Sequence, residues 1–135
     1  MNAEQDEDLR MLRDSVRTLL ERAGGIARAR RVRDEAAGWD RNIWSELAEA
    51  GVLGVAAPET AGGFGMGLPA AGVIAQELGR VIAPEPVVPS ITLAIGLLQR
   101  LVPNDPALES MISGDVTLAV AWQERDTRGV SETVE

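Results

Sequence analysis

The sequence predicts an all-α protein. Apolar residues recur at the three- and four-residue steps of a helix along most of the chain, and glycines and prolines separate these stretches. Only residues 117–122 have the composition of a strand. The 135-residue length fits one domain, and 45% hydrophobic with 25% charged residues is ordinary for a globular protein. We therefore expect a helical fold with one extended segment near its end.

The residue types that are missing limit the chemistry. The chain has no cysteine and no histidine, which excludes a disulfide scaffold, a Cys/His zinc site, a cysteine nucleophile and a histidine base. No apolar run resembles a signal peptide and no stretch of 18 or more apolar residues occurs, so we expect a cytoplasmic location and no membrane span. A net charge of −8 disfavours nucleic acid as a partner.

The first two predicted helices cover residues 5–23 and 26–37, with Gly24 and Gly25 between them. The second carries the basic cluster Arg28, Arg30, Arg31 and Arg33. The cluster could contact phosphate or RNA, or it could be a solvated helix face paired with nearby acids such as Asp34 and Glu35. Because no aromatic residues interleave for base stacking, the pattern favours the solvated face.

The sequence of the middle of the chain predicts a helix, a short extended run, a glycine loop and a second helix. Asp40 is the predicted N-cap of a helix over 41–50, and Gly51 suits the left-handed position that ends it. The apolar run 52–57 precedes a glycine loop over 59–67. The next helix, predicted over 69–79, is apolar on most faces and is therefore expected to be buried or to line a cavity.

The glycine loop has the wrong surroundings for a nucleotide site. Residues 58–61 separate it from the apolar run, no second strand follows its helix, and no Gly-Lys-Ser/Thr occurs. Composition alone favours a tight connection between helices that binds no ligand.

Prolines mark the boundaries between the predicted helices in the last third of the chain. After Pro84, Pro86 and Pro89, Ser90 is the predicted cap of a helix over 91–102, which we expect to be the central core helix. A short helix over 106–113, which Gly114 is predicted to end, precedes the predicted strand. Residues 123–135 are polar and do not complete a fold, so we expect the chain to be cut from a longer one.

Four motifs, in order and in register, resemble the acyl-CoA dehydrogenase family and span roughly residues 5–124. They are W-x-x-L-A-E-A-G-V-L-G from Trp44, P-E-x-x-G-G-F-G from Pro58, E-L-G-R from Glu77, and I-S-G-D followed by T-L-A-V-A-W-Q-E from Ile112. The resemblance implies a helical N-terminal domain over 1–115. It also implies that 116–135 are the incomplete start of the middle β-barrel domain, with its first strand.

The same resemblance implies the chemistry. Family enzymes remove two hydrogens across Cα–Cβ of an acyl-CoA thioester. A glutamate takes the α-proton, FAD takes the β-hydride, and electron-transferring flavoprotein takes the electrons. That glutamate lies in a C-terminal domain that these residues do not contain, so we assign no catalytic residue and no metal ligand. The implied substrate-pocket residues are Gly63, Phe64, Val73 and Glu77, and the implied flavin contacts are Ala121, Trp122 and Gln123. Glu77 also fits a helix-end acid paired with Arg80.

The predicted strand departs from the family pattern. It ends Gln123-Glu124-Arg125-Asp126, where the family has Thr-Glu-Pro and then a Gly-Ser-Asp loop. A glutamine amide can still donate a hydrogen bond to the flavin. This pattern is similar to the small subunits of pimeloyl-CoA dehydrogenase type, which work with a second, homologous subunit.

Three functional hypotheses remain open at this point. The first is a piece of an FAD-dependent acyl-CoA dehydrogenase that supplies one wall of the acyl and flavin pocket, in a homo- or hetero-oligomer. The second is a non-catalytic helical module that pairs with a full-length dehydrogenase. The third is an unrelated helical regulator that uses the arginine cluster.

Overall fold

The computed structural model describes residues 3–35, 37–103 and 105–121, and every regular element in these ranges is helical. The α-helices are α1 (Ala3–Arg22), α2 (Gly25–Val32), α3 (Arg41–Glu49), α4 (Gly67–Arg80), α5 (Val87–Pro89), α6 (Ile95–Leu101) and α7 (Pro106–Ile112). Two 3-10 turns, Val52–Gly54 and Glu59–Ala61, lie between α3 and α4, and a π-helical turn, Ser90–Ala94, joins α5 to α6. The all-α prediction is therefore confirmed for the described residues.

The core forms where α1 lies along α4 and α3 closes one end. Trp44 of α3 is fully buried, and its indole Nε1 donates to the carbonyl oxygen of Gly114 at 2.9 Å. That bond ties the end of α7 to the core, which satisfies the one polar group of a large apolar side chain. The fully buried side chains include Leu20, Leu47, Leu53, Ile74, Ile91 and Met111. As the composition predicts, aliphatic residues fill most of the core.

Helix boundaries set by local chemistry agree with the sequence predictions. Asp40 caps α3, because its side chain accepts from the Asn42 amide at 2.9 Å. Gly51 has φ 77° and Gly114 has φ 84°, the left-handed conformation that follows a helix end. The second helix is shorter than predicted and ends at Val32.

Two predictions in the middle of the chain are wrong. Residues 52–57 are not extended, because the Gly51 turn leads directly into a 3-10 turn whose amides bond to carbonyls three residues back. Ser90 is not an N-cap, because the helix already begins at Val87 and runs through Pro89. Its buried hydroxyl instead donates to the Pro86 carbonyl at 2.7 Å and lies 3.2 Å from that of Leu118.

The helix predicted to be the central core element is only half buried. Ile91 and Ile95 are buried, but Leu93, Leu97 and Leu101 are 51%, 42% and 73% exposed. The π-helical turn and α6 therefore present one apolar face to the core and another to the outside. We call the three exposed side chains the leucine face.

The strand predicted over 117–122 is not formed within the described residues 117–121. A strand requires a neighbouring strand to take its backbone hydrogen bonds, and the described part of the chain provides none. The segment is held by two contacts instead: the Val116 amide donates to the Ser110 carbonyl at 3.2 Å, and Leu118 packs against the core beside Ser90. The continuation into a β-barrel over 122–135 lies outside the described residues. In the described ranges, no helix is both long and apolar enough to cross a membrane.

Candidate functional site

Glu77 lies at the centre of an ion-pair cluster between α1 and α4. Its side chain is 4% exposed and accepts two hydrogen bonds from Arg17, from Nε at 3.0 Å and from Nη2 at 2.8 Å. Arg80 Nε adds a third at 3.1 Å. The pairing with Arg80 is as the sequence predicts. The bidentate pairing with Arg17 was missed, because the two residues are 60 positions apart.

These contacts determine what Glu77 can do chemically. The hydrogen bond from Arg17 lowers the pKa of Glu77, Arg80 lowers it further, and partial burial opposes both. A carboxylate held ionised by two guanidinium groups is a weak base and carries no proton to donate at neutral pH. Glu77 therefore joins α1 to α4, and the cluster gives it no acid–base role.

Arg28 and Glu85 form a second, more deeply buried pair. Their side chains are 2% and 0% exposed, with Nη1–Oε1 at 2.5 Å and Nη2–Oε2 at 2.8 Å. Glu85 also accepts from the Asp40 amide at 3.2 Å, so the pair joins α2, the start of α3 and the proline segment. The hydrogen bonds that Arg28 donates to the Glu85 carboxylate raise the pKa of Arg28.

The basic cluster of α2 is thus divided between two environments. Arg33 pairs with Asp34 at 3.0 Å on the exposed face, as the sequence predicts. Arg28 is not on that solvated face. The spacing of four residues between Arg28 and Val32 could have indicated this, since both lie on the buried side of α2.

The backbone amides of the glycine loop donate hydrogen bonds to carbonyl oxygens of residues 54–59, at or just before its start in the chain. The amides of residues 62–66 all donate to carbonyl oxygens, and the longest of these bonds measures 3.0 Å. Phe64, Gly65 and Met66 bond to Gly54, Ala57 and Val55 respectively. A phosphate cradle requires amides that point at the ligand. The loop is therefore a structural connection, in agreement with the sequence argument against a nucleotide site.

Gly63 is needed at this position because the chain approaches itself closely. A Cβ added to Gly63 would lie 2.3 Å from the Ala57 carbonyl oxygen. Phe64, the next residue, covers Gly51: a Cβ at Gly51 would lie 2.8 Å from the Phe64 ring. The loop thus holds an aromatic side chain against the end of α3.

Phe64 also lines an open groove of about 460 Å³ between α1 and the glycine loop. Its other lining residues are Asp8, Met11, Leu12, Ser15, Ala50, Gly51, Val55 and Met66. Met11 and Phe64 are 59% and 55% exposed. The groove can accept an apolar group, and nothing that lines it forms an acid–base pair.

The structure places the predicted pocket residues in two different settings. Gly63 and Phe64 lie in the loop beside the groove, whereas Val73 and Glu77 are 7% and 3% exposed on α4 and do not line this groove. Whether these four residues contact substrate stays a prediction. The leucine face is a further exposed apolar surface, which the sequence did not single out.

Of the predicted flavin contacts, only Ala121 is described. It is exposed and follows the segment that Ser90 holds through Leu118. Trp122 and Gln123 lie outside the described residues. Leu93, the first residue of the leucine face, follows Ser90 by three positions along the chain.

Comparison with known proteins gives consistent matches. A family model described as acyl-CoA dehydrogenase, N-terminal domain, matches residues 6–102. Acyl-CoA dehydrogenase IpdE2 of Mycobacterium tuberculosis is 32% identical over 109 residues, which are 80% of this chain and 34% of that protein. Acyl-CoA dehydrogenase FadE27 of the same organism is 39% identical over 88 residues, 62% of this chain and 23% of that protein.

Two solved structures have the same fold over nearly the whole chain. A variant of the Tcur3481-Tcur3483 steroid ACAD matches with a TM-score of 0.81 and 34% identity, covering 91% of this chain and 34% of that one. The ChsE4-ChsE5 complex from Mycobacterium tuberculosis matches with a TM-score of 0.77 and 30% identity, covering 96% and 35%. This chain spans about a third or less of the length of the proteins it matches.

Proposed function

Because the chain belongs to the acyl-CoA dehydrogenase family, as its helical N-terminal domain, we propose that it is part of an FAD-dependent acyl-CoA dehydrogenase. In this proposal it supplies one wall of the pocket that holds the acyl chain and the flavin. The reaction is the α,β-dehydrogenation of an acyl-CoA thioester, with electron-transferring flavoprotein as the electron acceptor. Bound FAD would supply the acceptor for the hydride.

The leucine face is the observation that carries the proposal. Leu93, Leu97 and Leu101 are exposed at four-residue steps, so they form a continuous apolar strip. Such a strip on one side of a half-buried helix is unfavourable in water unless an apolar surface covers it. An acyl chain needs a wall of this kind, and the segment predicted to approach the flavin is held by Ser90, three positions before Leu93 in the chain.

The fit to the cofactor differs between the two candidate segments. The glycine loop does not fit the FAD pyrophosphate, because its amides already donate to carbonyl oxygens. The segment that ends at Ala121 fits a contact with the flavin ring, because it is exposed and Ser90 anchors it. The chain's own contribution is thus to position this segment and to exclude water with its leucines.

The remaining parts of the site lie outside these 135 residues, and a second, homologous dehydrogenase subunit is the partner of the complete protein in this proposal. One of the similar structures is named as a complex, and the other carries a paired name and the description steroid ACAD. A large apolar acyl group, of the steroid class named there, agrees with a wall made only of leucines. Pairing with an unlike subunit also agrees with the net charge of −8, which opposes association of identical chains.

The test is co-expression of the 135-residue chain with a homologous acyl-CoA dehydrogenase subunit from the same genome. We expect a copurifying yellow complex with a flavin absorbance spectrum that oxidises acyl-CoA in the presence of an artificial electron acceptor. Leu97→Glu places a charge in the leucine face and should lower both flavin content and activity. Leu68→Glu is the matched control, since Leu68 is 72% exposed and belongs to a different helix, α4.

Two results would count against the proposal. Equal effects of the two variants would mean that the leucine face has no special role. If the partner subunit holds its full flavin and activity with or without this chain, the non-catalytic interaction module is the better description.

A further inference from the structure

Ser90 places a buried hydroxyl where two distant segments of the chain meet. Its side chain is fully buried, and in the described ranges it is the one uncharged residue among the buried polar side chains. It begins the π-helical turn Ser90–Ala94, after which the Ile95 amide donates to the Ser90 carbonyl five residues back. Such turns are rare and occur frequently at functional sites. A buried hydroxyl in this turn points to a role beyond helix formation.

The hydroxyl lies between two carbonyl oxygens from different segments. Ser90 Oγ is 2.7 Å from the Pro86 oxygen and 3.2 Å from the Leu118 oxygen. A hydroxyl carries one proton and can turn it towards either acceptor. The Pro86 carbonyl also accepts from the Ser90 amide at 3.3 Å, whereas no other donor among the described residues reaches the Leu118 carbonyl. Within this part of the chain, the Leu118 carbonyl therefore depends on the Ser90 hydroxyl for its hydrogen bond.

Thr92 shows what a hydroxyl does in the same helical stretch without a second segment. Its Oγ1 donates to the Val88 carbonyl at 2.7 Å, four residues back, as Ser90 Oγ does to Pro86. Serine and threonine form this local bond in helices without any tertiary contact. The contact with Leu118, 28 positions away, is what distinguishes Ser90 from Thr92.

Leu118 is the point at which the end of the described chain is held. Just before it, the Val116 amide donates to the Ser110 carbonyl at 3.2 Å, and the Leu118 side chain packs against the core. Beyond it, residues 119–121 form no hydrogen bond with other described residues, and Ala121 is exposed. The position of the Leu118 carbonyl therefore sets the path of the chain to Ala121.

We propose that Ser90 is a positioning residue for the flavin contact. Its hydroxyl fixes the Leu118 carbonyl, and this sets the place at which the segment ending at Ala121 meets the flavin ring. The inference rests on the proposed function, in which Ala121 is the first of the predicted flavin contacts. Because its side chain is fully buried, Ser90 acts through Leu118 and not by touching the flavin.

The test compares Ser90→Ala with the matched control Thr92→Val, in the copurifying complex of this chain with a homologous dehydrogenase subunit. Both variants remove a hydroxyl that donates to a carbonyl four residues back, but only Ser90→Ala removes the contact with Leu118. Alanine favours a helix, so we expect Ser90→Ala to fold. Hydrogen exchange of the peptide that contains the Val116 amide reports on the segment. The visible circular dichroism of the flavin and the flavin Kd report on the site.

The expected effects follow from the loss of one hydrogen bond. Ser90→Ala should speed exchange of the Val116 amide and raise the flavin Kd by about fivefold each, the effect of one ordinary hydrogen bond. It should also change the dichroism spectrum, because the segment meets the flavin differently. Thr92→Val should leave that spectrum unchanged and the other two values within about twofold of the wild type, since it removes only a local bond.

Three results would overturn the positioning role. Equal effects of the two variants would assign the change to the helix and not to the contact with Leu118. Faster exchange in Ser90→Ala with an unchanged flavin spectrum and Kd would mean that the serine serves only the fold. Unchanged exchange would mean that the hydroxyl does not hold the segment. Where the wild-type complex holds flavin, these results concern Ser90 alone; a wild-type complex without flavin would refute the proposed function, and the role of Ser90 with it.

Discussion

The buried pair of Arg28 and Glu85 provides the sharpest test of how this domain is held together. In Glu85→Gln the amide keeps the size of the side chain but removes its charge. The guanidinium of Arg28, 2% exposed, then loses its paired carboxylate in the core, and only the charge of Asp40 remains nearby. The Asp40 amide also loses a charged acceptor. The segment that joins α4 to α5 and the start of α3 should loosen together.

The expected loss is a large part of the total stability. Breaking a buried ion pair by removing one partner costs about 3–5 kcal/mol, and a domain of this size has about 5–15 kcal/mol in all. We expect a value near the lower end, about 3 kcal/mol, because the Arg28 Nε already lacks a hydrogen-bond partner and the wild-type site is not fully satisfied. Replacing both residues, as Arg28→Met with Glu85→Leu, should cost less than Glu85→Gln alone.

Urea denaturation of the full chain at pH 7 measures these differences, provided that the m-value is unchanged. Asp34→Asn is the control, since it removes an ion pair whose side chains are 74% and 73% exposed. It should change the free energy of unfolding by no more than about 0.5 kcal/mol. A loss below about 1 kcal/mol for Glu85→Gln would refute the argument, because an unpaired charge in the core cannot be that cheap.

Two further predictions concern the glycine loop and the α1–α4 cluster. Gly63→Ala should destabilise the chain by about 1–3 kcal/mol, since the new Cβ would meet the Ala57 carbonyl oxygen at 2.3 Å. Gly72→Ala, with no atom within 4 Å in the middle of α4, should stabilise it by about 0.5–1 kcal/mol; the opposite order in thermal denaturation would contradict the loop geometry. Because Arg17 lowers the pKa of Glu77 from its ordinary 4.5, the unfolded chain binds the proton more tightly. The stabilisation from Glu77 is therefore complete above that value and is lost as the pH falls through the folded pKa. Glu77→Gln should be less stable at pH 7 and lose less stability on acidification, and parallel curves for the two proteins would show that Glu77 does not titrate as described.

Local patterns predicted those features of the fold that neighbours in sequence control. The cap at Asp40, the helix ends at Gly51 and Gly114 and the amphipathic α1 were all readable, because capping and periodicity depend on residues within one or two turns. The error at Ser90 has the same origin. A good capping residue was expected to start a helix. In the folded chain the Ser90 hydroxyl instead forms hydrogen bonds with the carbonyl oxygens of Pro86 and Leu118.

The candidate site also has features that the sequence predicted and features that it could not predict. Motif order identified the family, and the family match over residues 6–102 confirms it. The sequence could not indicate that Glu77 is buried against α1, that Val73 is buried, or that the leucine face is exposed. Both depend on which side of a nearly apolar helix meets its neighbours, and an all-apolar pattern contains no such information.

The sequence by itself thus determined the helical class, most helix ends and the acyl-CoA dehydrogenase family. Only the tertiary structure decided the partners of its charges and the surface it exposes. Glu77 meets Arg17 across 60 residues and Arg28 meets Glu85 across 57. Packing brings such pairs together, and no local rule relates their positions.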